Sequence, residues 1–230
     1  MHRALLFLLA GLCWPVAGCH DGPLYALKYT NPFLVKQWRQ QEALGITDHQ
    51  RREELELLVR SLPRMSAAEQ AEWLPHLERM VDNDASADMR YLVVRATGPI
   101  SDPQALRLLE NALSDDSLKV RMAACDELGH RKEGRAAELL AKTAGESTNL
   151  DIRQAALRSL GNHRGPGVNE AMKLALADRD PAVRMTAIKA LQSSTGRQLG
   201  TQPEVWLAYL DGDLEVPEPP GLTDRIRSWF

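Results

Sequence analysis

The chain has few aromatic residues, few cysteines, no surplus of positive charge and, beyond its first residues, no long apolar run. Aromatics make up only 5%. A core must therefore come mainly from Leu, Ala and Val, which suits close helix packing better than a β-sandwich. Three cysteines cannot make a disulfide framework. The 28 basic side chains against 31 acidic ones give a formal charge of −3. That argues against a nucleic-acid partner, because phosphate-backbone binders concentrate positive charge on one surface. With 15 Gly and 13 Pro in 230 residues, collagen-like and low-complexity chains are excluded as well. What remains, 44% apolar and 26% charged, can bury a real core.

The N-terminus reads as an address. Met1-His2-Arg3 is followed by Ala4 to Ala17, almost wholly apolar apart from Pro15. A bilayer-spanning helix needs about 20 residues. This shorter run fits the h-region of a secretory signal peptide. It ends in Val16-Ala17-Gly18-Cys19, which resembles the bacterial lipobox, an aliphatic residue and two small residues before a cysteine. Cys13 fits less well, because Leu12 stands where a small residue belongs. The resemblance implies that residues 1–18 are removed and that Cys19 is lipidated, leaving residues 19–31 as a lipidated tether. Membrane attachment is then expected through the N-terminal lipid only, since several chains on one cysteine anchor stably. In bacteria that sort lipoproteins, Asp after the cysteine favours the inner membrane. Here the residue is His20, so the expected location is the periplasmic side of the cell envelope, the outer membrane favoured. Cys125, in the apolar pattern Arg121 to Leu128, reads as a small buried hydrophobe.

The body of the chain is periodic. A helix-capping residue, two variable residues, an apolar residue and Arg recur as Ser86 to Arg90, Ser117 to Arg121, Asn149 to Arg153 and Asp180 to Arg184, with the arginines 31, 32 and 31 residues apart. Ser, Asn and Asp accept hydrogen bonds from the orphan N–H groups of a helix start, and Pro181 suits a first helical position. Apolar stripes follow: Val120-Ala123-Ala124-Leu128, Ile152-Ala155-Ala156-Leu160 and Val183-Ala187-Leu191. Gly129 and Gly161 read as C-terminal caps. A second helix follows in each unit, where Leu106, Ala137 and Val168 lie 31 apart. No hairpin of two such helices can bury both apolar faces alone, so the units must stack. The predicted class is all-α, a solenoid of stacked antiparallel helix pairs.

These residues resemble HEAT-type repeats over about 84–213, in particular the short variety of bilin-lyase-like proteins. The likeness rests on the Asp-rich turns (Ser114-Asp115-Asp116, Asp178-Arg179-Asp180), the Val-Arg pairs, the Ala stripes and the closing Leu-Gly. It implies that Arg90, Arg121, Arg153 and Arg184, with Asp116 and Asp180, form a structural ladder between neighbouring repeats. It also implies that the second helices line the concave side. Their leftover side chains, Arg107, Glu110, Asn111, Arg135, Glu138, Lys142, Asn169, Glu170 and Lys173, form the candidate interaction surface. Interspersed signs suit a polar protein or peptide ligand better than a polyanion.

The flanks read as degenerate end units. Residues 32–83 form an N-terminal helical capping region, with Asn31-Pro32 starting a helix to Leu44. Thr47 to Gln50 and Ser66 to Glu69 are capping boxes for helices near 48–62 and 67–82. Pro75 is expected to kink or split the second of these. Ser193 to Gln202 reads as a polar turn before a last helix, Pro203 to Leu210. An acidic, Pro-rich linker follows at 214–221, then a short amphipathic tail at 222–230. Chemistry is sparse. No metal-ligand spacing occurs among the histidines, and His130 and His163 read as solvated turn residues. HEAT-repeat hydroxylases hold iron with His-Glu pairs, and this chain has no His-Glu dipeptide. A lipid-anchored exported chain is badly placed for bilin-lyase work. The expected protein is therefore a non-enzymatic scaffold without cofactor or metal that binds an unidentified protein or peptide. A structural protein binding cell wall and an enzyme of unrecognised type are the alternatives.

Overall fold

A computed structural model describes residues 46–214. Cys19, the leader, the tether, most of the linker and the tail lie outside the described residues. Among those described there are ten α-helices and no strand. They are α1 (Asp48–Ser61), α2 (Ala67–Asn83), α3 (Ala87–Thr97), α4 (Pro103–Ala112) and α5 (Leu118–His130). Then come α6 (Gly134–Glu146), α7 (Leu150–Leu160), α8 (Pro166–Leu176), α9 (Pro181–Thr195) and α10 (Pro203–Asp211). Two capping boxes fix the first pair. The Gln50 backbone N–H donates to Thr47 Oγ1 at 3.2 Å while Gln50 Oε1 accepts from the Thr47 N–H at 2.9 Å. Ser66 and Glu69 form the same reciprocal pair at α2.

Helix α2 runs unbroken through Pro75, against the expectation of a split. Proline inside a helix costs about 3 kcal/mol. Here Pro75 faces solvent while Leu74, Leu77 and Val81 are buried in the core, and that packing holds the helix together. Helix α9 also departs from expectation. It extends to Thr195 and ends on Gly196 at φ 70°, so the polar connection begins three residues later than expected.

First helices pack on first helices, α3 on α5, α5 on α7 and α7 on α9. In the second row α2 packs on α4, α6 on α8 and α8 on α10. Arg52 of α1 reaches Asp88 of α3 at 2.8 Å. The repeated apolar positions form the core: Val120, Ile152 and Val183 are buried, as are Ala124, Ala156 and Ala187. Gly129 and Gly161 are not left-handed caps. Gly129 lies inside α5, and Gly161 closes α7 with φ −57°. Their lack of a side chain serves packing instead. A Cβ on Gly129 would stand 2.7 Å from the Cβ of Ser159, and one on Gly161 3.1 Å from that of Ala190. Gly98 plays the same part at the C-terminal end of α3, facing the carboxylate of Glu127. Among the described residues, the left-handed cap that glycine makes possible appears at α9 and α10, on Gly196 and Gly212.

Candidate interaction surfaces

Three of the turns that enter a first helix are stapled by that helix's own arginine, while Arg153 Nε donates instead to the Ala144 carbonyl inside α6 at 3.0 Å. Arg90 Nη1 donates to the Asp84 carbonyl at 2.8 Å, Arg121 Nη1 to that of Asp115 at 2.6 Å and Arg184 Nη1 to that of Asp178 at 2.8 Å. Two of the four arginines also reach the next repeat. Arg90 Nε and Nη2 grip both oxygens of Asp115 at 2.8 Å, and Nη2 also reaches Asp116. Arg153 reaches Asp178. Burial pushes the Asp115 carboxyl up, but hydrogen bonds from Arg90 and the Ser117 N–H outweigh that and hold it below its ordinary range. The Arg153 hydrogen bond lowers Asp178 in the same way, against a smaller opposing cost of burial.

The expected ladder therefore needs correction at three positions. Arg121 makes no inter-repeat ion pair among the described residues, because Ser147 stands in the next turn where Asp115 and Asp178 stand in theirs. Arg184 stays on its own turn, bonding the Asp178 and Arg179 carbonyls. Asp180 is a helix cap rather than a rung, its Oδ1 accepting from the Ala182 N–H at 2.8 Å. The carboxylates that form rungs are Asp115, with Asp116 beside it on Arg90, and Asp178; Asp115 and Asp178 each lie six residues before their own arginine.

A second set of ties lies at the opposite ends of the hairpins. Arg131 is buried and donates to the carbonyls of Gly98 and Ile100, one repeat back, at 3.2 and 2.8 Å. His163 is buried as well, contrary to its reading as a solvated residue, with Nε2 3.1 Å from the Leu128 carbonyl. A carbonyl only accepts, so Nε2 carries the hydrogen. Arg164 reaches forward to the Ser194 carbonyl. The Gly98 and Ser194 carbonyls lie at helix ends, where acceptors lack an intrahelical partner, and the Leu128 carbonyl takes the imidazole in addition to the Arg131 N–H. His130, by contrast, is exposed, and the two imidazoles do not form a joint site. Among the described residues no group of three or more His, Cys, Asp or Glu could hold a metal ion. Burial pushes the Cys125 thiol up to about 12, so at neutral pH it is a protonated, packed side chain.

On the second helices the candidate charges largely engage one another. Arg135 of α6 bridges Glu110 of α4 at 2.7 Å and Glu138 at 3.2 Å. Lys173 joins Glu170 at 3.1 Å and Asp211 of α10 at 2.6 Å, and Lys142 lies 4.0 Å from Glu146. Those acids raise the ionisation of Arg135 and Lys173 above their ordinary values. Arg107 is exposed. This surface works partly as a tie between repeats. The sequence reading passed over the first helices, where a groove of about 940 Å³ crosses α3, α5 and α7. The signal was the large side chain directly after two of the ladder arginines, Tyr91 and Met122, which line the groove.

Helix hairpins at a near-constant period, tied mainly to their nearest neighbours, define an α-solenoid. The sequence pattern of HEAT repeats matches residues 74–161 and again 145–205, together more than half of the chain. The chain belongs to the HEAT-repeat family. HEAT repeats commonly mediate protein–protein interaction, and the fold is a helical-repeat scaffold of that kind. No curated protein matches it, and no helix among the described residues is long and apolar enough to cross a membrane.

Proposed function

We propose that the protein is a lipid-anchored scaffold on the periplasmic side of a bacterial envelope, acting by binding rather than catalysis. The supporting observation is the stack itself. Consecutive hairpins bury their apolar faces on one another and set rows of side chains at fixed register on their outer faces, as recognition of an extended protein or peptide requires. The anchor rests on Cys19, directly after the apolar leader and two small residues. His20 favours the outer membrane.

Cys19→Ala tests the anchor. The variant should lose its lipid and accumulate as an uncleaved or soluble form, whereas normal maturation and membrane fractionation would refute it. Cross-linking in living cells tests the scaffold. The wild-type chain should yield a discrete cross-linked partner, and a chain that yields none at any surface position is not an interaction scaffold.

A further inference from the structure

The groove on the first helices has a small-residue floor and a charged rim. Ala123 and Ala155 are buried at its base, while Tyr91 and Met122 stand half-buried beside them. Lys119 is held 2.6 Å from Asp88 and lies over the Tyr91 ring. Arg95 is bound to Asp126 at 2.6 Å and to Glu127 at 2.9 Å. Both cations are already paired, Lys119 sharing Asp88 with Arg52. Five residues beyond each ladder arginine, successive first helices carry Arg95, Asp126, Arg158 and Lys189. Arg158 lines the groove, and Lys189 takes the same place one helix further on. Both are exposed, and neither forms an ion pair with an acid of the described residues. The groove therefore has an apolar base and one exposed positive charge, Arg158, on its rim, with Lys189 continuing that row just beyond it.

We propose that this groove binds a short acidic peptide, placing an apolar side chain on the Ala123–Ala155 floor and carboxylates on Arg158 and Lys189. The proposal rests on the scaffold reading and supplies its site and ligand chemistry. Packed helix axes lie about 8–10 Å apart, which three residues of extended chain span at about 3.3 Å each. Two acidic residues three apart therefore match the two cations. A continuous polyanion does not match, because Asp126 interrupts the row and the floor offers nothing to phosphate. Complementarity of this kind sets specificity and binding rate more than raw affinity.

The test uses the full chain in detergent and two fluorescein-labelled peptides. One carries Leu-Trp followed by two glutamates three residues apart, and the other has lysines in place of the glutamates. Fluorescence anisotropy should show the acidic peptide binding at least about tenfold tighter, a gap of about 1.4 kcal/mol. The double variant Arg158→Glu with Lys189→Glu should reverse that preference, with helicity unchanged by circular dichroism. Equal binding of both peptides to the wild type, or an unreversed preference in the double variant, overturns the proposal. The triple variant Arg107→Glu, Arg135→Glu, Lys173→Glu should bind the acidic peptide as the wild type does. Loss of binding there instead moves the site to the second helices and leaves the scaffold reading intact. Failure of the in-cell cross-linking refutes the scaffold reading whatever the peptides do.

Discussion

Completing the missing rung should stabilise the stack. Ser147 sits in the turn before α7, where its Oγ accepts from the Asn149 N–H at 3.3 Å. Asp115 does the same for Ser117, at 2.8 Å, and also binds Arg90. Ser147→Asp should keep the local bond and place a carboxylate against Arg121. The natural rung sets the scale. The Arg90 and Asp115 side chains are 10% and 7% exposed, and the pair is bidentate. Hydrogen bonds to charged groups contribute about 1.5–3 kcal/mol, and exposed pairs about 0–1. Desolvating a new carboxylate subtracts from either figure. For a half-buried site the net gain should be about 1 kcal/mol, a rise in Tm of about 2–4 °C for a chain of this size. Calorimetry at pH 7 reads it directly. The rung should lower the folded pKa of the new Asp. Its stabilisation is then complete above the unfolded value of about 3.9 and is lost as pH falls through the lowered one. No gain at pH 7, or the same gain in an Arg121→Met background, would refute the reasoning.

Leu140→Ala and Leu160→Ala, at fully buried sites, should each cost about 2–5 kcal/mol. Asn149→Ala, which removes only the cap bond to the Ile152 N–H, should cost about 1 kcal/mol; denaturant titrations showing equal, negligible losses would contradict the stack. Gly129→Ala should destabilise by about 1–3 kcal/mol through overpacking against Ser159. Gly145→Ala, with nothing within 4 Å of the added methyl, should stabilise by about 0.5–1 kcal/mol, and thermal melts of the pair read the difference in sign. Burial pushes the Glu127 carboxyl up from its ordinary range, against the opposing pull of Arg95. Its charged form therefore weakens the fold above the raised pKa and not below the unfolded value. Glu127→Gln should be relatively most favourable at neutral pH and lose that advantage as pH falls from the raised pKa towards 4.5, as parallel unfolding curves would show.

Local chemistry made the fold legible. Capping residues, the period of the arginines and the alternation of Ala with Leu each point to the same helices, and such agreement across levels is what specifies a structure. The partners of those arginines were less legible. Four identical slots have different fates, because an arginine can only bridge to what the following repeat offers. That is Asp115 for Arg90, Ser147 for Arg121 and Asp178 for Arg153. For Arg184 the residue at the same spacing is Tyr209, inside α10. The information was in the sequence, six residues before each arginine rather than in the matching motif. Burial of His163 carried no such signal. A polar turn is normally solvated, and only the approach of the Leu128 carbonyl from the preceding repeat withdraws it from water. The glycines were half legible: Gly161 does cap α7, whereas Gly129 lies inside α5, and both serve contact between helices rather than a left-handed turn.

The ties at the two ends of the hairpins answer to different chemistry. At one end guanidinium meets carboxylate, which acid neutralises and salt screens. At the other, guanidinium and imidazole N–H groups meet backbone carbonyls, which do not titrate. Acid therefore weakens the carboxylate rungs, and with them the Arg95 pairs to Asp126 and Glu127, while the ties to backbone carbonyls and the continuous apolar core still join neighbouring hairpins.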